Sequence, residues 1–130
     1  MRHLLSSLFL AVLLVSACKE GNENDGKTAI IQDSLVNVIP TWQALRVKVE
    51  DNHERMNIVI GDPAFYALSP EEKALKATEV AKMVLRIYGK GNYLKKGNLV
   101  VTKNTRNTED EPADGLSTPL EFEGLKQQGY

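Results

Sequence analysis

The chain has 130 residues, 42% of them hydrophobic and 25% charged, with 16 basic against 17 acidic side chains and a formal charge of −1, which is the length and composition of one small globular domain. That balance excludes a general polycation, so nucleic-acid binding through many neutralised phosphates is not expected. Cys18 is the single cysteine, which also excludes an intrachain disulfide and a zinc site of paired thiolates.

In chain order, the first segment has a short basic start at Arg2 and His3, the apolar run Leu8 to Val15, and small residues before Cys18. That is the order of an export leader. Leu4 to Ala17, interrupted by Ser6, Ser7 and Ser16, is too short for a hydrocarbon core that needs about 20 apolar residues. Val15, Ser16, Ala17 and Cys18 resemble the lipobox of bacterial lipoproteins, with Val15 where the usual residue is leucine.

The resemblance covers the leader alone. It implies a signal peptide of residues 1–17, cleavage between Ala17 and Cys18, and a diacylglycerol thioether with palmitate-type acyl chains on Cys18. Two or three acyl chains make a stable anchor where one is marginal. Lys19 stands where many Gram-negative lipoproteins retained in the inner membrane have aspartate, so the resemblance implies outer-membrane delivery, facing the periplasm or the surface. A lipidated sulfur leaves no thiol for catalysis. Losing Arg2 with the leader takes the chain one charge further negative.

Lys19 to Lys27 contains no apolar residue and nothing to offset the entropy of ordering, so residues 18–27 read as a flexible tether. A single α+β domain is expected over 28–127. Ile31, Leu35 and Val38 have helical spacing, Val36 and Val38 would also suit a strand, and Pro40 ends either element. We read a helix. Leu45, Val47 and Val49 alternate with Arg46, Lys48 and Glu50, and Met56, Ile58 and Ile60 repeat the alternation beyond Asp51 to Glu54. These are two strands of a hairpin, stopped by Gly61, Asp62 and Pro63.

Ser69, Pro70 and Glu72 make a capping box with proline at the first helical position. The helix that follows carries Ala77, Val80, Ala81, Val84, Ile87 and Tyr88 on one face, widened by Leu75, Met83 and Leu85, and ends at Gly89. Leu99 to Thr102 reads as a third strand. Residues 104–114 form a polar, acidic loop, and Thr118, Pro119, Leu120 and Glu121 read as the start of a short terminal helix bearing Phe122 and Leu125. The expected architecture is helix–strand–strand–helix–strand. It is a three-stranded, mainly antiparallel sheet covered on one face by one long helix and one or two short ones, like half of a ferredoxin-like fold. Strand one lies between the other two if the crossover is right-handed.

No hydrolase elbow, phosphate loop, zinc-protease helix or calcium loop is present. His53, beside Asp51 and Glu54, reads as a solvated turn rather than a metal or base site, since adjacent turn residues do not converge unaided, and no metal or cofactor is expected. Arg86, Lys90, Lys95, Lys96, Lys103 and Arg106, with Tyr88 and Tyr93 interleaved, form the candidate binding surface for anionic headgroups, an envelope polymer or an acidic protein, although basic residues also suit a helix C-terminus for dipole reasons alone. The expectation is a lipid-anchored, non-enzymatic envelope binder with no nucleic-acid partner. The alternative is a small hydrolase whose carboxylates, drawn from Glu50, Asp51, Asp62 and Glu79, meet only in the fold.

Overall fold

A computed structural model describes residues 23–106 and 109–130, with side chains from residue 26 onward. The leader, Ala17 and Cys18 lie outside the described residues. The elements are α1 (Glu23–Leu35), β1 (Ala44–Glu50), β2 (Arg55–Gly61), α2 (Pro63–Tyr66), α3 (Pro70–Tyr88), β3 (Lys96–Thr102), β4 (Leu116–Leu120) and α4 (Phe122–Gln127). The class is α+β. None of these helices is long and apolar enough to cross a membrane.

The sheet is four-stranded, in the order β1-β2-β3-β4, with β2 parallel to β3 and the outer pairs antiparallel. Two expectations are corrected here. Strand β1 is an edge strand, not the middle one, because its alternate residues Arg46, Lys48 and Glu50 suit an exposed margin. Strands β2 and β3, with the buried residues Met56, Ile58, Val59, Ile60, Leu99 and Val101, take the centre. Thr118 and Pro119 do not open a helix; they belong to β4. Proline is tolerated there because β4 is the opposite edge and need not donate from every backbone nitrogen. The terminal helix starts three residues later than Pro119, at Phe122, and its cap position, Glu121, makes no side-chain cap bond.

One sheet face carries Leu45, Val47, Val49, Met56, Ile58, Ile60, Leu99, Val101 and Leu120 toward the helices. Ile31 and Leu35 of α1, Val80 and Val84 of α3 and Phe122 of α4 close the core against them. Leu75 was expected in this core but is 68% exposed, two positions off the Ala77–Val80–Val84 stripe. The capping box forms as expected: the Glu72 backbone N–H donates to Ser69 Oγ at 3.2 Å, and the Ser69 N–H to Glu72 Oε2 at 3.1 Å. Gly89 ends α3 at φ 77° and donates its N–H to the Leu85 carbonyl, a left-handed position that favours glycine.

Helix α1 begins at Glu23, inside the stretch expected as a tether. Lys27 lies one turn before buried Ile31 and is itself exposed. With β2 and β3 parallel across α3, one end of the domain gathers the start of α1, the β1–β2 turn, the end of α3 and the loop into β3. The other end holds α2, the start of α3 and the chain leaving β3.

Candidate functional site

At the first of these ends lies a recess of about 570 Å³ lined by Lys27, His53, Tyr88, Lys90, Gly91, Asn92 and Tyr93, within the size range of small-molecule sites. Each wall has a local cause. Tyr88 is the last residue of α3, four after buried Val84. Its ring lies 4.5 Å from Lys27 Nζ, a cation–π distance. Among the described residues the Tyr88 hydroxyl has no hydrogen-bond partner and almost no accessible surface, and burial raises its pKa. Asn92 folds the loop: its amide donates to the Gly89 carbonyl at 2.7 Å and its Oδ1 accepts from Leu94 N–H at 3.0 Å. Lys126 Nζ donates to the Asn92 carbonyl at 2.8 Å, and burial lowers the Lys126 pKa. Tyr93 is thereby left 72% exposed on the rim.

His53 enters this wall from a strained turn. Asp51, Asn52 and His53 have φ of 53°, 57° and 69°, a left-handed run closed by the Glu54 N–H to the Asp51 carbonyl at 3.2 Å. Left-handed backbone costs non-glycine residues roughly 1–2 kcal/mol each, less for Asp and Asn. Histidine is the member of this run with least local compensation, and strain of this kind concentrates at functional positions. His53→Gly is expected to stabilise the fold by about 0.5–1 kcal/mol in urea denaturation. A destabilised variant would remove the strain argument.

The expected surface residues do not form one patch. Lys90 and Tyr93 line the recess. Lys95 lies beside it, with Nζ 3.4 Å from Glu54 Oε1. Arg86 is exposed about one helical turn back along α3, and Lys96 is the first residue of β3, on the sheet face away from the helices. Lys103 and Arg106 leave the far end of β3, a strand of seven residues and so roughly 23 Å away. There Lys103 lies over the Tyr66 ring at 5.1 Å. Tyr88 was expected among these cations, but Lys27 and His53 were not foreseen in a site; the Lys27–Ile31–Leu35 spacing was the signal for the first.

The open face of the sheet holds a second, smaller cleft of about 310 Å³ among Arg46, Lys48, Glu50, Asn57, Val59, Asp110 and Glu111. The acidic loop crosses this face. Asp110 pairs with Arg46 and, at 3.3 Å, with Lys48, which leaves Val59 beneath only 4% exposed. Asp114 accepts from the Thr102 hydroxyl at 2.5 Å and the Lys103 N–H at 2.9 Å, and its carbonyl accepts from Tyr66 Oη at 2.9 Å. Desolvation pushes the Asp110 carboxyl up, but hydrogen bonds and charge from Lys48 and Arg46 outweigh it and the net shift is downward. The Thr102 and Lys103 hydrogen bonds lower Asp114.

Because both folded values lie below the ordinary carboxylate value near 4, their stabilising contribution is full above that pH and is lost as pH falls through the folded values. The loop is therefore expected to release in acid before the core does. The check is the Lys103 amide, whose exchange protection should fall at a higher pH than that of Ile58.

The four carboxylates of the hydrolase alternative are dispersed. Asp51 and Asp62 stand at opposite ends of β2, roughly 23 Å apart for its seven residues. Glu79 is exposed on α3 with Nζ of Lys76 at 3.5 Å, and Glu50 faces the open sheet side by Lys48 at 3.4 Å. Asp62 is buried and committed to capping α2. Among the described residues, no three of His, Cys, Asp and Glu are grouped to hold a metal ion.

No family model, curated protein or solved structure matches the chain. The chemistry of the two clefts is therefore the basis for a functional reading, and they differ in one respect. The open-face cleft contains its own carboxylates beside its cations, whereas among the described residues the recess lining has two lysines, a histidine and two tyrosines and no acid.

Proposed function

We propose that the chain is a lipid-anchored binding module of the bacterial envelope that works without catalysis. It is held to the membrane through Cys18 and receives an anionic group in the recess of Lys27, His53, Tyr88, Lys90, Asn92 and Tyr93. The observation that carries the reading is the composition of that recess: two lysines, a histidine and two tyrosines, with no carboxylate among the described residues of the lining. An anion there would face two ammonium groups. The Val15-Ser16-Ala17-Cys18 resemblance supports the anchor.

Two measurements test the two halves. Intact mass of the membrane-extracted protein is expected to give an amino terminus at Cys18 with two or three acyl chains, and Cys18→Ala is expected to be unprocessed or released. An unlipidated chain cut elsewhere would sink the anchor. Calorimetric titration with pyrophosphate is expected to give binding heat that disappears in the Lys27→Ala/Lys90→Ala double variant. Heat that persists in the variant assigns anion binding elsewhere.

A further inference from the structure

We infer that the anion received by the recess is the phosphate of an acidic phospholipid headgroup, so that the β1–β2 turn and the loop after α3 lie against the membrane that anchors the chain. This rests on the anchored, anion-binding reading above and adds the ligand and the orientation of the domain.

The first argument is the path of the chain. Lys27 lies four residues into α1 from Glu23, a rise of about 6 Å. Cys18 is five Cα steps before Glu23, a span of at most about 18 Å for any conformation. A lipid on Cys18 thus keeps Lys27 within roughly 25 Å of the anchor point. The recess is at the end of the domain from which α1 leads back to Cys18. Lys103, Arg106 and the capping Asp62 are at the far end.

The second argument is chemical. A phosphodiester offers several acceptors and one negative charge, matching the ammonium groups of Lys27 and Lys90 in the lining. The Asn92 amide is already used within its loop, so the lysines would do the binding. Tyr93, 72% exposed beside them, is an apolar ring with a polar tip, the kind of side chain that favours the headgroup level of a bilayer. The negative potential of an acidic leaflet falls off within about 8 Å at physiological salt. It therefore acts on a recess held at the surface and hardly at all on the cations of the far end. The open-face cleft is a poorer candidate, because Asp110 and Glu111 line it and would repel a phosphate.

The test uses the full, processed chain reconstituted in phosphatidylcholine vesicles with or without phosphatidylglycerol, both carrying lipids brominated near the headgroup. Trp42 is the sole tryptophan. A Trp42→Phe/Tyr93→Trp variant therefore reports the rim alone, with circular dichroism as the fold control. Quenching is expected to be severalfold stronger with phosphatidylglycerol and to be lost when Lys27→Ala and Lys90→Ala are added.

Equal quenching in both lipids, or quenching indifferent to the lysine substitutions, overturns the headgroup site. Absence of quenching in either lipid overturns it too, and leaves the recess open to an acidic protein or polymer. Removal of the quenching by excess glycerol 3-phosphate would identify a soluble phosphate ester as the preferred occupant and also overturn it. Flotation with phosphatidylcholine vesicles reads the anchor separately. A chain that fails to float there loses the anchored reading, while phosphatidylglycerol-dependent quenching still decides the headgroup site.

Discussion

Gly97→Ala is expected to destabilise the domain by more than about 4 kcal/mol, a range that single substitutions reach only by a definite structural fault. Gly97 is the second residue of β3, paired with Met56 on one side and Leu120 on the other, and it belongs to the core face. A Cβ at this position would stand 1.9 Å from the Met56 carbonyl oxygen, 3.0 Å from its carbonyl carbon and 3.3 Å from Phe122 Cε2. The first two atoms are backbone of the neighbouring central strand, so no rotamer change relieves the overlap. Either β2 and β3 separate and lose ladder bonds, or β3 shifts and drags Leu99 and Val101 out of the core. Urea or thermal denaturation checks it. Gly124→Ala in α4 is the control: its Cβ meets nothing within 4 Å, and alanine should raise stability by about 0.5–1 kcal/mol in a helix. If the Gly97 variant melts with the wild-type midpoint, the close approach of the two central strands is wrong.

The same glycine illustrates what the sequence could and could not disclose. Elements with a strong local grammar were legible. The Ser69–Pro70–Glu72 start of α3 and its Gly89 stop, the alternation in β1 and β2, and Phe122 and Leu125 on a terminal helix all follow from short-range chemistry. Strand order was not legible in the same way, because it depends on which apolar strands bury both edges. The apolar stretches Ile58–Ile60 of β2 and Leu99–Val101 of β3 put these strands at the centre, while Arg46, Lys48 and Glu50 leave β1 at the margin. Strand β4 was hidden because Thr118-Pro119-Leu120-Glu121 also spells a helix start, and only pairing with β3 selects the extended form. The recess was half visible. Lys90, Tyr88 and Tyr93 stood out by composition, but Lys27 looked like tether and His53 like a solvated turn. Their meeting requires α1 and α3 to run antiparallel and the hairpin to fold toward them.

Asp62 was named in sequence as a candidate catalytic carboxylate, and its surroundings lead instead to an expected loss of about 3 kcal/mol on Asp62→Ala with no effect on any binding at the recess. The side chain is 1% exposed. Its Oδ1 accepts from the Ala64 and Phe65 N–H groups at 3.0 and 3.2 Å, and its Oδ2 from the Thr41 hydroxyl at 2.5 Å. The Asp62 N–H itself donates to the Thr102 carbonyl at 2.9 Å. One residue thus joins the end of β2, the start of α2, the approach to β1 and the end of β3. Alanine removes a cap typically worth about 1 kcal/mol. It also strands buried donors at about 1–3 kcal/mol each where water cannot reach them. Asp62→Asn separates the parts: its carbonyl can still cap α2, and its amide can donate to Thr41 Oγ1, so the loss should shrink to about 1 kcal/mol. Equal losses for the two variants would mean that the carboxylate charge, and not the cap, is what this position supplies. An Asp62→Ala protein of normal stability would return Asp62 to the candidates for chemistry.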